Sequence, residues 1–190
     1  MAIMERPDER KALEILQKAE PEIYQEAILL DKPDIQNPTQ NIGVEVTQSL
    51  KESVLKALQL DKINVHNDEQ ILGIIKERYG NDVLRIKLPL PDDTQKNIAI
   101  SISNWHLLFN LIEAYDNKVK KLQSGNYKVY EENNLFVFVF GEDEKSIAQL
   151  AKHIHRKRTK QQYDFVYVYS QPYLYKLDRQ MNIDRWLITL

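Results

Sequence analysis

Cysteine is absent from the 190 residues. That single absence excludes disulfides, zinc–thiolate centres and cysteine nucleophiles. Glycine is scarce: the five present are scattered, and none has the spacing of a phosphate-cradling loop. No serine stands in a nucleophile-elbow setting. No apolar run approaches the length that spans a bilayer, so no membrane partner is expected. The first residues, "MAIMERPDERK", contain no apolar stretch of the secretory kind, and a cytoplasmic location is the expectation. An excess of one charge is missing too. Twenty-six basic residues against 28 acidic give a net charge of -2, so only a local basic patch could attract nucleic acid.

What is present is an ordinary globular composition, 43% hydrophobic and 28% charged, long enough to bury a core without staples. Apolar spacing predicts a helix over 8–30, broken at Pro21, with Leu13, Leu16, Ile23, Ala27 and Leu30 roughly on one face. A short extended piece, Asp34 to Asn37, lies between Pro33 and Pro38, and "NPTQN" is a turn by composition. "NIGVEVTQ" alternates as a strand, with Ile42, Val44 and Val46 on one face and Gly43, Glu45 and Thr47 on the other.

Residues 50–60 read as helix. A second helix is capped at Asn67, with Gln70 at capping-box spacing, and stops at Gly80. "DVLRIKLPLP" is strand-like up to the prolines and "DDTQKN" a loop. The clearest helix runs from about 103 to 123, on Trp105, Leu108, Phe109, Ile112, Tyr115, Val119 and Leu122. "LFVFVFG", a helix over "EDEKSIAQLAKHIHRKR" and "YDFVYVYS" form a strand–helix–strand unit, a right-handed crossover by default. "YLYKLD" and "RWLITL" are expected at the sheet edge. With no repeat and no long linker, the expectation is one α/β domain over 1–190, a central mixed sheet flanked by helices.

The chemistry concentrates in "DKPDIQNPTQNIGVEVTQS". Asp34 and Glu45 stand on neighbouring extended segments. If these lie side by side, two carboxylates and a backbone carbonyl form the hard oxygen site that Mg²⁺ or Mn²⁺ prefers. Glu45 sits in an apolar strand where acids are disfavoured. Gly43 on the same face leaves room for a ligand. The bland alternative is a turn aspartate and a solvent-facing strand glutamate.

Pro33-Asp34 followed by Gly43-Val44-Glu45-Val46-Thr47, after a helical lead-in, resembles the PD-(D/E)XK nuclease superfamily, the restriction-endonuclease-like fold. The resemblance implies a hydrolase that cuts nucleic acid, DNA before RNA, with Mg²⁺ or Mn²⁺. It implies metal ligation by Asp34, Glu45 and the Val46 carbonyl. The chain departs from the pattern at Thr47, which stands where the motif has lysine and cannot supply a positive charge. Some members carry that lysine on a neighbouring helix, and Lys118 and Lys121, three residues apart, are the candidates here. Tyr127 and the apolar strand follow in the order such members show. An acid from the first helical region often joins the site, and Glu14 and Glu26 are the candidates.

The run "KHIHRKRTK" adds Lys152, Arg156, Lys157, Arg158 and Lys160 without an acid. It reads either as a solvated helix end or as a phosphate-tracking patch. His153 and His155 diverge on a helix and do not chelate together; His66 and His106 are isolated. Tyr163, Tyr167, Tyr169, Tyr173 and Tyr175 either stack bases or pack an edge strand. Three readings follow: a metal-dependent nuclease, for which a homodimer would be a natural way to reach both strands of duplex DNA; a catalytically degenerate member that binds nucleic acid or protein; or an unrelated α/β interaction domain.

Overall fold

A computed structural model describes residues 6–49, 83–89, 95–101, 110–125, 128–139, 143–157, 159 and 161–189, of which 83–89 and 95–101 by their backbone. The chain divides into two compact units. One joins residues 1–49 to 111–190, and the other is residues 50–110. The expected helices over 50–60 and from Asn67 to Gly80, the Trp105 to Phe109 stretch, and His66 and His106 lie outside the described residues.

Within the second unit, β4 (Val83–Pro89) and β5 (Gln95–Ser101) form an antiparallel pair, with Ile86 opposite Ile98. The sequence reading has the first strand but extends the loop into residues that belong to β5. Lys96 and Asn97 hide the strand because its alternation is clear only from Ile98 to Ile100.

The first unit opens with α1 (Pro7–Ala19) and a single turn, α2 (Pro21–Tyr24). Pro21 is the first residue of that turn, where its missing N–H is no loss. The predicted continuation through Leu30 does not form. Ile28 and Leu29 make β1 (Ile28–Leu29) instead, opposite Gln36 and Ile35. Next come β2 (Ile35–Asn37), β3 (Ile42–Gln48), α3 (Leu111–Gln123), β6 (Glu132–Phe138), α4 (Glu144–Arg156), β7 (Phe165–Ser170), β8 (Tyr173–Asp178) and β9 (Ile183–Leu187).

These strands build one seven-stranded mixed sheet in the order β1-β2-β3-β6-β7-β8-β9. β3, β6 and β7 run parallel at its centre, and the remaining pairings are antiparallel. β8 is therefore interior, paired on both sides, and of the two C-terminal strands β9 alone lies at an edge, contrary to the expectation for "YLYKLD". Helices flank the sheet on both faces, which explains the continuous apolarity of β6 and β7. One core gathers Leu135, Val137, Val166 and Val168 with Tyr115 and Val119 of α3 and Ile147 and Leu150 of α4. The other gathers the alternate residues Phe136, Phe138 and Tyr167 with Val44, Val46 and Ala12, Ile15 and Leu16 of α1. Tyr163, Tyr167, Tyr169 and Tyr175 are buried in these cores and cannot stack bases. Tyr173 is half-buried against the first of the cores. Among the described residues no helix is long and apolar enough to cross a membrane.

Candidate functional site

The site forms where β2 parts from β3. The register Ile35↔Val44 would set Pro33 opposite Val46 if the pairing continued. Pro33 has no N–H to offer, and the Lys32–Pro33 bond is cis. Beyond Ile35 the ladder stops, and the main chain of Val46 takes side-chain partners instead. Its N–H donates to Asp34 Oδ2 at 2.7 Å, and its carbonyl accepts from Lys118 Nζ at 3.2 Å.

Glu45 lies beside Leu135 in the β3–β6 register, and Thr47 beside Val137. Directly paired residues share a sheet face, so both point towards the core that α3 covers. There Lys118 Nζ meets Glu45 Oε1 at 2.5 Å, with Glu45 and Lys118 side chains only 7% and 14% exposed. Thr47 is half-buried at the end of the same strand. Asp34, Glu45, Val46 and Lys118 thus come together, although Asp34 and Glu45 are eleven positions apart and Lys118 is 73 beyond Glu45.

Helix geometry separates the two candidate lysines. Each three-residue step on a helix turns back by about 60°. Lys118 stands one such step from buried Tyr115, at the border of the packed face. Lys121 stands two steps away and is exposed. Spacing by three is therefore not enough to keep both lysines at the site.

Of the acids the sequence offers from the first helical region, Glu14 on α1 and Glu26 after α2 are both exposed. Glu9 is the residue that sequence reasoning missed. It is buried on the α1 stripe with Ala12 and Leu16, three and seven positions on, and that spacing was the available signal. Arg6 bridges Glu9 at 2.9 Å and Asp8 at 2.8 Å. Burial, and then the charge of Asp34, pushes the Glu9 carboxyl up to about 7. Burial, and then the charge of Glu45, pushes Asp34 up to about 6, against the pull of the Val46 N–H, Lys118 and Arg6. The guanidinium of Arg6 is held charged more firmly than usual, chiefly by its bond to Asp8.

Gly43 does not leave space for a ligand, as its sequence context suggests. A Cβ there would stand 2.6 Å from Pro33 Cγ and 2.7 Å from Tyr130 Cδ2, so the glycine lets those two rings close over the strand. The basic run is also less free than it reads. Lys157 is ion-paired to Asp116, which His153 Nε2 contacts at 2.9 Å. Burial works against ionisation of Asp116, but these two bonds outweigh it and hold its carboxyl below the usual range. Lys152 and Arg156 are exposed, while Arg158 and Lys160 lie outside the described residues. His155 contacts the Arg179 carbonyl, so the two histidines diverge as expected.

The donor set fits a hard divalent cation in one respect and limits it in another. A cationic group already rests against two of its oxygens, Glu45 Oε1 and the Val46 carbonyl, with the Asp34 carboxyl alongside. Among the described residues, however, no group of three or more histidine, aspartate or glutamate side chains could hold a metal ion. A Mg²⁺ or Mn²⁺ here would rely on Asp34, Glu45 and the Val46 carbonyl, with water completing its shell. Compared with protein-family models, curated proteins and solved structures, the chain finds no match.

Proposed function

We propose that this protein is a Mg²⁺- or Mn²⁺-dependent phosphodiesterase acting on nucleic acid, of the restriction-endonuclease-like kind, with its motif lysine moved from position 47 to α3. The observation that carries this reading is the Lys118 ammonium set between the Glu45 carboxylate and the Val46 carbonyl, beside Asp34. A lysine recruited to that spot from a helix 73 positions away makes good the charge that Thr47 lacks. The mixed sheet with helices on both faces agrees with it.

In this reading Asp34, Glu45 and the Val46 carbonyl hold the ion. The ion, when bound, lowers the pKa of water and offsets charge on the phosphate. Asp34 is steadied by the Val46 N–H. Lys118 meets the growing negative charge on the phosphate oxygens, work that preorganised cations do well in a water-poor site. The Thr47 hydroxyl, on the Glu45 face, can orient a water. Lys152 and Arg156 would track the backbone of the substrate. DNA is the first substrate to try, and a homodimer would reach both strands of a duplex.

A second reading is a catalytically degenerate member that only binds nucleic acid or a protein. It is favoured by the absence of a three-acid metal group among the described residues. Cleavage of supercoiled plasmid, single-stranded DNA and RNA with Mn²⁺, beside Asp34→Ala, Glu45→Ala and Lys118→Met, separates the two. Nicking that needs Mn²⁺ and vanishes in all three variants supports the enzyme. Folded wild-type protein that cuts none of the three substrates supports the binder.

A further inference from the structure

Lys118 occupies the site in a way that conflicts with a metal ion. Its Nζ lies 2.5 Å from Glu45 Oε1 and 3.2 Å from the Val46 carbonyl oxygen. A Mg²⁺ taking those oxygens on the face Lys118 covers would stand about 2.1 Å from each, in the space of the ammonium. The two cations cannot share that space. Yet Glu45 is buried, and an ionised carboxylate in that setting is costly unless a cation is paired with it, whether or not metal is present.

We infer that Lys118 is the resident counter-cation of the metal-free site, and that a divalent ion binds by displacing its ammonium from Glu45 and the Val46 carbonyl. The inference rests on reading Asp34, Glu45 and Val46 as metal ligands; it does not require cleavage activity. Its geometry is suited to exchange. The lysine stem is four flexible methylenes rooted at the border between the packed and exposed faces of α3, so the head can withdraw without moving the helix. Asp34 is not part of the exchange, because its anchor is the Val46 N–H, on the main chain. The displaced ammonium is then free for a phosphate. Metal loading and the availability of the lysine become one event: the cation that would engage substrate is tied to Glu45 until the ion arrives.

The test is Mn²⁺ binding by calorimetry to the full chain at one pH, for wild type, Lys118→Met, Lys118→Gln and the exposed-lysine control Lys120→Met, with thermal melts with and without Mn²⁺. Displacement predicts that both Lys118 variants bind Mn²⁺ at least tenfold more tightly than wild type, that Lys120→Met does not, and that Mn²⁺ raises the melting temperature of the Lys118 variants more than that of wild type. If Lys118→Met does not fold without metal, a cooperative melt recovered by Mn²⁺ supports the inference, and its absence overturns it. Equal or weaker binding by the Lys118 variants, with wild type binding, overturns the displacement and leaves the metal site standing. Binding by none of the four proteins removes the metal site itself, and the inference with it.

Discussion

Asp34 and Glu9 keep their protons to a higher pH than free carboxylic acids do, at about 6 and about 7. The unfolded chain loses the same protons near ordinary values, close to 4. Between about pH 4 and pH 7 the folded state therefore binds more protons than the unfolded one, and stability contributed by these groups falls as pH rises through that window. Asp34→Asn cannot ionise. Its stability should drop less than that of wild type between pH 4 and pH 7, by about 2 kcal/mol once solvent screening is allowed for. Urea melts at stepped pH measure this, and parallel profiles for the two proteins would refute it. The sequence made the acids legible unevenly. Glu45 announced itself, because a glutamate among valines goes against local preference, and Asp34 was picked out by its place after Pro33 beside that strand. Glu9 did not, because one glutamate in a charged helix start looks like any other until the buried stripe of Ala12 and Leu16 is drawn through it.

At the scale of single elements, β3 shows how a site is framed by packing rather than by space. The rings of Pro33 and Tyr130 press on Gly43 from the positions a side chain would fill. Both are ring atoms in packed surroundings, Tyr130 only 5% exposed, so neither can swing away as the end of a flexible chain would. Gly43→Ala should cost about 1–3 kcal/mol through overpacking, read as a lower urea midpoint with an unchanged slope. A neutral result would mean that the two rings yield. The start of α4 offers a gentler case. Asp143 caps the helix, its Oδ1 accepting from the Ser146 N–H at 2.8 Å. Asp143→Ala should lower the urea midpoint in the same melts, whereas Asp143→Asn, which can still accept that bond, should lower it less. Elements with a full period were legible in the sequence: β3, β6, β7, α4 and the described part of the helix that ends at Gln123. β1 and the start of β5 were not. One is two residues long and exists only because β2 is there to pair with it, and the other begins on polar residues that carry no alternation.

Across the whole first unit, the face opposite Lys118 is held by a chain of polar groups whose donors converge on Glu20. Asn134 Nδ2 donates to the Tyr24 hydroxyl at 3.1 Å, and Tyr24 bonds the Tyr167 hydroxyl at 3.0 Å. Tyr167 donates to Glu20 Oε2 at 2.6 Å, and Lys176 Nζ closes the chain on Glu20 Oε1 at 2.7 Å. The line ends on a carboxylate, the acceptor that rewards such an ordering most. It ties the junction of α1 and α2 to β6, β7 and β8, joining residues as much as 156 positions apart. No pattern in the sequence could reveal it, because its members come from four separate segments and each is ordinary where it stands. Both charged side chains are about 10% exposed, so removing one strands the other. Lys176→Met should therefore destabilise the fold by roughly 3 kcal/mol, and Glu20→Gln by a similar amount. Once Glu20 is neutral the ammonium has lost its reason to be there, and Lys176→Met then costs much less. A double-mutant cycle in urea should thus find the double variant more stable than the sum of the single losses, by about 1 kcal/mol or more. Additive losses would mean that Glu20 and Lys176 act separately, and that the first helices are held to the sheet by the apolar packing of Ile15, Leu16 and Tyr24 alone.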